Sequence, residues 1–186
     1  MDYLIASLIL IFIALYLFGY IPVYIKSEID NRYYLVSNTK DKQEVANALA
    51  LLNKNVDTLL FYLDSQVKQY PDLKYATNIK KLLNQFNPDS LSENFLRLGT
   101  SFTLNKGNLV AMCVKNNEKI HDTNILMYVL LHELAHVGSY STGHSKEFIH
   151  FFRYLVNIAI KLNLYVYVDY SVSPTVYCGL TLDVSI

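Results

Sequence analysis

From Lys42 to Tyr70 the apolar residues Val45, Leu49, Leu52, Val56, Leu59, Leu60, Leu63 and Val67 recur at three- and four-residue steps, with Lys, Asn and Asp between them. That period lays a single stripe along an α-helix, with Asp41 placed to cap its start and Pro71 to stop it. A stripe of this kind is ordinarily a core face; the alternative is a helix that engages a partner through residues 42–70. A shorter amphipathic helix follows from Tyr75 to Phe86, through Ile79, Leu82 and Leu83, and Asn87-Pro88 ends it. The period then changes to two. Thr100–Leu104 and Leu109–Val114 flank Asn105-Lys106-Gly107-Asn108, the composition of a hairpin turn in which Gly107 can take a positive φ.

Beyond a turn at Asn116–Lys119, Asp122 or Thr123 can cap a helix whose first turns, Ile125, Leu126, Val129 and Leu130, are nearly all apolar. Such a helix is buried on most sides. Ser145 can cap a last helix from Lys146 to about Leu162, with Phe148, Phe152, Leu155, Ile158, Ala159 and Leu162 along one side. Leu164–Asp169 alternates like a strand, and Pro174 interrupts before Val176–Gly179. Residues 26–41 read as a connector with one strand at Tyr33–Val36. The expected class is α+β, with a helical part over 42–98 and a catalytic part over 99–186.

Composition changes the picture at the front of the chain. The 52% hydrophobic content and positive mean hydropathy of 0.19 are high for a water-soluble enzyme of 186 residues. The excess lies in Tyr3–Ile25, which has no charged residue, Asn, Gln or His. As a helix it would reach about 35 Å at 1.5 Å per residue, which predicts a transmembrane helix over residues 3–25. A cleaved signal peptide fits poorly: no positive region precedes the apolar run and no small-x-small site follows it. Tyr20 and Tyr24 suit the membrane interface, and Lys26, Arg32, Lys40 and Lys42 follow the segment, which places the domain on the cytoplasmic side.

The 16 basic and 16 acidic residues balance, and only Asp2 lies before Lys26. A clustered basic excess of the kind that grips phosphates is therefore missing, and nucleic acid is not an expected partner. Cys113 and Cys178 form no Cys-x-x-Cys metal pair; they could pair with each other, be free or sit near the site, and in a domain facing the cytoplasm two lone thiols are most often reduced and buried. There is no phosphate-cradling glycine loop, nucleophile elbow or internal repeat.

Candidate chemistry is concentrated in His132-Glu133-Leu134-Ala135-His136 and the segment up to Phe148. Two histidines four apart on a helix lie on one face about a turn apart, so both imidazoles can reach one metal ion. Glu133 stands beside them as a candidate base toward a water held there. Zinc needs a third protein ligand and an open position. His144 is the first candidate: Gly138 supplies a stop signal after His136, and Gly143 lets the chain turn back. Glu147 is the second candidate.

His132-Glu-Leu-Ala-His136, a loop, and then Gly143-His144-Ser-Lys-Glu147-Phe148 resembles the SprT-like and WLM families of zinc-dependent peptidases, which share HExxH, a loop of variable length and a Gly-His segment opening the next helix. The resemblance implies a zincin-like fold, zinc held by His132, His136 and His144, and Glu133 as catalytic base. Thr103–Gly107 and Cys113 upstream, with Asp169-Tyr170 and Tyr177-Cys178-Gly179 downstream, extend it toward small metallopeptidase-like proteins of large DNA viruses. It covers about residues 99 to 180, while the amino-terminal half resembles no named family. The protein crosslinks to DNA that cellular members digest do not carry over, because the charge here is balanced.

The expected function is peptide-bond hydrolysis by a membrane-anchored zinc metallopeptidase acting on a protein or peptide substrate. The alternative is an inactive zincin-like scaffold that serves as a membrane-anchored interaction protein. Tyr140, Tyr170 and Tyr177 are candidate donors to the oxyanion, Asp169 is a candidate acceptor behind a ligand imidazole, and His121 and His150 carry little weight. The hairpin is a candidate edge for an extended substrate.

Overall fold

The apolar front of the chain is helical over Asp2–Leu17 (α1) in the computed structural model, which describes residues 2–17, 21–95, 99–116 and 119–184. Leu4, Ile5, Leu8, Ile9, Leu10, Ile11 and Phe12 are all exposed, so α1 has no single face turned to a core. The helix expected over 3–25 is shorter than that. Pro22 lacks an amide hydrogen and restrains the residue before it, and Val23–Lys26 form strand β1, whose hydrogen bonds go to strand β2 (Tyr33–Val36). At 1.5 Å per residue the 16 residues of α1 cover about 24 Å, and among the described residues no helix is long and apolar enough to cross a membrane. Tyr20, Asn117 and Glu118 lie outside the described residues.

The periodic stripe forms helix α2 (Lys42–Gln69) and is spent on the core: Leu49, Leu52, Val56, Leu59 and Leu63 are fully buried. Asp41 stands at its first position without capping it. Its carboxylate takes hydrogen bonds of 2.8 and 2.7 Å from Lys115 Nζ, tying α2 to the distant strand region. Helix α3 (Ala76–Gln85) follows as expected, and a short turn at Pro88 leads into strand β3 (Leu91–Glu93).

Strand β3 is polar yet buried; Glu93 accepts a 2.6 Å hydrogen bond from the Ser37 amide. It joins the expected hairpin, β4 (Phe102–Leu104) and β5 (Leu109–Met112), in a sheet of order β3-β5-β4, parallel to β5 while β4 is antiparallel. That order leaves β4 on the edge. The hairpin turn places Asn105, Lys106 and Gly107 at positive φ. Two-residue strands β6 (Lys115–Asn116) and β7 (Lys119–Ile120) then lead to helix α4 (Thr123–Gly138), which Asp122 caps by accepting from the Asn124 amide.

Helix α4 is the centre of the molecule, packed against α2, α3, β4, β5 and helix α5 (Lys146–Lys161). Ser145 caps α5 through the Phe148 amide. The strand expected over Leu164–Asp169 is not formed: the Asn124 side chain accepts from Val166 N and donates to Val166 O, which occupies the groups a neighbouring strand would need. A last hairpin, β8 (Thr175–Tyr177) and β9 (Leu180–Leu182), turns at Cys178 and Gly179, both at positive φ. Cys178 is bonded to Cys113, so the expectation of two reduced thiols is corrected. The pairing is one that spacing could not reveal, because the cysteines are 65 residues apart and meet only when the hairpin packs on the sheet. The architecture is α+β.

Candidate metal centre

Four-residue spacing on α4 puts the Nε2 atoms of His132 and His136 3.2 Å apart, and His144 Nε2 comes 3.1 Å from that of His132. One ligand atom from each of the three lies within 4.8 Å of the others. Phe148 holds the pair in place, stacked on the His136 ring at 4.2 Å and set edge-on to His132 at 4.9 Å, while Phe152 meets His132 edge-on at 5.2 Å. This apolar packing has an electrostatic consequence. Burial, with the two neighbouring imidazoles, lowers the His132 pKa to about 3; burial, with His144 and Lys106, lowers that of His136 to about 4. Both rings are neutral at pH 7 and keep a nitrogen lone pair.

The arrangement fits a divalent zinc ion. Two nitrogens bound to one tetrahedral zinc at about 2.0–2.1 Å would stand roughly 3.3 Å apart. The separations from His132 Nε2 to the other two, 3.2 and 3.1 Å, are close to that, and a set of three imidazoles with no fourth protein ligand beside it among the described residues suits zinc with an open position.

His144 arrives by a different route. Gly138 ends α4 with an ordinary φ, so it is not the positive-φ stop that the sequence suggested. It is needed because a Cβ there would overlap the Phe151 ring and stand 3.1 Å from Asn78 O. Gly143 does take the expected left-handed turn, at φ 65. Between them the loop is held from three sides. Asn78 Nδ2 on α3 donates to Gly138 O and to Glu147 Oε1; Lys81 donates to Ser139 O; Lys106 from the β4–β5 turn donates to Ser139 O and Ser141 O at 3.0 and 2.9 Å.

Glu147, the second candidate ligand, faces this loop and is not among the clustered groups. Its carboxylate accepts from the Tyr140 and Ser141 amides and from Ser141 Oγ. Burial alone would raise its pKa, but those bonds and the one from Asn78 outweigh it and hold the group down at about 2.

Glu133 points from α4 into a cleft of about 660 Å³ that the three histidines also line. It is 4% exposed, and Thr103 on the edge strand β4 donates a 2.8 Å hydrogen bond to its Oε2. Burial raises its pKa to about 7 in spite of that bond. Of the candidate tyrosines, only Tyr177 lines the cleft. Its hydroxyl donates to Cys113 O at 2.8 Å and lies 2.6 Å from Ser101 Oγ, an internal role that ties β8 to the sheet. Tyr170 is buried against Tyr128, and Tyr140 is exposed with Lys81 over its ring. Asp169 bonds Ser171, His121 packs on the Tyr177 ring, and His150 is exposed on α5.

Sequence reasoning missed the roles of Asn78, Lys81, Lys106 and Ser101. None has a local signature: each acts through a partner between 33 and 76 residues away. Thr103 lies in the stretch that carried the resemblance, but its bond to Glu133 depends on how β4 docks on α4.

No family model and no solved structure matches the chain. It is 39% identical over 168 residues to an uncharacterized protein of Acanthamoeba polyphaga mimivirus, covering 86% of this chain and 82% of that one. It is 30% identical over 152 residues to an uncharacterized protein of Invertebrate iridescent virus 6, covering 71% and 84%. A shorter match, 35% identical over 85 residues, is to an uncharacterized protein of Invertebrate iridescent virus 3. The similarity to the first two runs over most of each protein, and the chain belongs to the family that contains these viral proteins.

Proposed function

We propose that this chain is a zinc-dependent metallopeptidase with a zincin-like catalytic domain. The observation that carries the reading is the convergence of His132, His136 and His144 beside a buried carboxylate in an open cleft. The three imidazoles would hold the ion. Zinc, when bound, makes water a better nucleophile at neutral pH and polarises a scissile carbonyl. Glu133 takes the proton from the attacking water and delivers it to the leaving amine as the C–N bond breaks. Thr103 fixes the carboxylate rotamer through the 2.8 Å bond to Oε2. Edge strand β4 lines the same cleft through Phe102 and Thr103 and offers unpaired backbone groups to an extended peptide.

The same reading makes the apolar front segment a membrane attachment. An α-helix with exposed apolar side chains on all sides lacks a covering surface among the described residues, and lipid is one that satisfies it. The basic residues after the segment favour the cytoplasmic face, whereas the Cys113–Cys178 bond favours oxidising surroundings. Thiol labelling and protease protection of intact membranes separate the two. The peptidase reading is tested by zinc content and cleavage of an unfolded protein by the full chain in detergent. The expected result is one zinc per chain and cleavage that Glu133→Gln removes; cleavage surviving in that variant would overturn the mechanism.

A further inference from the structure

The cleft is not uniform along its length. Helix α4 orders its lining: Tyr128 and Val129 stand one turn ahead of His132, while Lys106, Thr142 and Gly143 gather at the His136 and His144 end. The β8–β9 hairpin lines the same cleft, through Tyr177, Leu180 and Leu182. Leu180 is 56% exposed, and a leucine that faces a cleft beside a reactive carboxylate leaves apolar surface in water until something covers it.

The hairpin is also fixed. The Cys113–Cys178 bond anchors its turn, and the Tyr177 hydroxyl donates to Cys113 O and lies within hydrogen-bond distance of Ser101 Oγ. A wall held this way is shaped before a ligand arrives, and it spends little conformational freedom on binding. Charge argues the same way. Among the described residues, the charged side chains that line the cleft, apart from the histidines, are Glu133 and Lys106, and the Lys106 ammonium is engaged by loop carbonyls. A charged substrate side chain placed against Tyr128, Val129, Leu180 and Leu182 would lose its hydration with no partner to replace it.

We propose that this end of the cleft is a side-chain subsite that selects peptides carrying a bulky aliphatic or aromatic residue next to the scissile bond. The proposal rests on the peptidase reading for the identity of the occupant, and on the lining residues for its chemistry.

The test uses the full-length chain in detergent with zinc and a mixed-sequence peptide library, with cleavage positions read by mass spectrometry. Leu, Met, Phe or Tyr should be enriched at least about tenfold over Ala and Asp at one position flanking the cut. Leu180→Glu, at an exposed site that tolerates the change, should erase that enrichment and admit Lys or Arg, with zinc content unchanged. A second readout is binding of a labelled decapeptide with a central Leu or Asp to the Glu133→Gln chain, where the Leu peptide should bind at least about tenfold more tightly. Cleavage without apolar enrichment, or enrichment that Leu180→Glu leaves intact, overturns the subsite while the peptidase reading stands. Absence of all cleavage together with preferential binding of the Leu peptide overturns the peptidase reading and leaves the apolar subsite in place. Absence of both overturns both.

Discussion

Two of the three histidines are placed by a helix and the third by a loop, and the two solutions depend on different parts of the molecule. His132 and His136 sit on α4, where the helical period alone sets their spacing and packing by Phe148 and Phe152 sets their rotamers. His144 sits on an exposed stretch with Thr142 and Gly143, and the residues leading into it, 138–141, are held by Asn78, Lys81 and Lys106 from elsewhere in the fold and by Glu147 just beyond His144. The helix-borne pair is a local property of sequence, and the loop-borne histidine is a tertiary one. The amino-terminal half has no catalytic candidate of its own, yet it serves the site, because α3 holds the loop that carries His144.

The largest effect is expected on the helix side. Glu133→Gln keeps the shape of the side chain and removes its basicity, so the turnover of a cleaved peptide should fall by about 10²–10⁴-fold with zinc retained. A smaller loss with zinc retained would assign the proton transfer to another group.

On the loop side, Asn78→Ala removes the bonds to Gly138 O and Glu147 without touching any histidine. If the loop is held as described, zinc affinity should fall about 10–100-fold, the range seen when a residue orienting a ligand is lost. Competition with a chromophoric chelator measures it, and an unchanged affinity would mean that the loop keeps its shape unaided.

The two glycines sharpen the contrast at smaller magnitude. Gly138→Ala drives a methyl group into Phe151 and should cost about 1–3 kcal/mol in chemical denaturation. At Gly143 a Cβ meets nothing within 4 Å, so Gly143→Ala should cost only the backbone penalty of φ 65, roughly 1–2 kcal/mol. It should weaken zinc binding more than stability. A larger stability loss at Gly143 than at Gly138 would reverse the comparison.

The smallest effect is on pH dependence. Glu147 has a folded pKa of about 2, below its ordinary value, so its contribution to stability is full above about pH 5 and is lost as pH falls toward 2. Glu147→Gln should flatten the melting temperature across that range and lower it at pH 7.

What the sequence made legible follows the same division. The α2 stripe, α3, the β4–β5 hairpin, α4 and α5 all carry their period and their stops in adjacent residues, and all are present. Strand β3 was missed because Ser92 and Glu93 look exposed while both are buried beside β5. The strand expected at Leu164–Asp169 failed because alternation does not supply a partner, and the Asn124 side chain took the Val166 backbone groups instead. Strand β1 was hidden inside an apolar run that resembled a continuous helix, although Pro22 was a visible reason for that helix to end. In the site, His132, Glu133 and His136 were readable from spacing, and His144 could be nominated from the glycine before it. The supports from Asn78, Lys81 and Lys106 were not readable, since they reach the loop across 33 to 60 residues.

Metal content of the purified full chain, measured by inductively coupled plasma mass spectrometry after zinc loading and desalting, tests the centre most directly. One zinc per chain is expected, lost in His132→Ala and His136→Ala and weakened or lost in His144→Ala. A chain that retains no zinc, or one whose zinc survives removal of each of the three imidazoles in turn, would contradict a metal centre at this place.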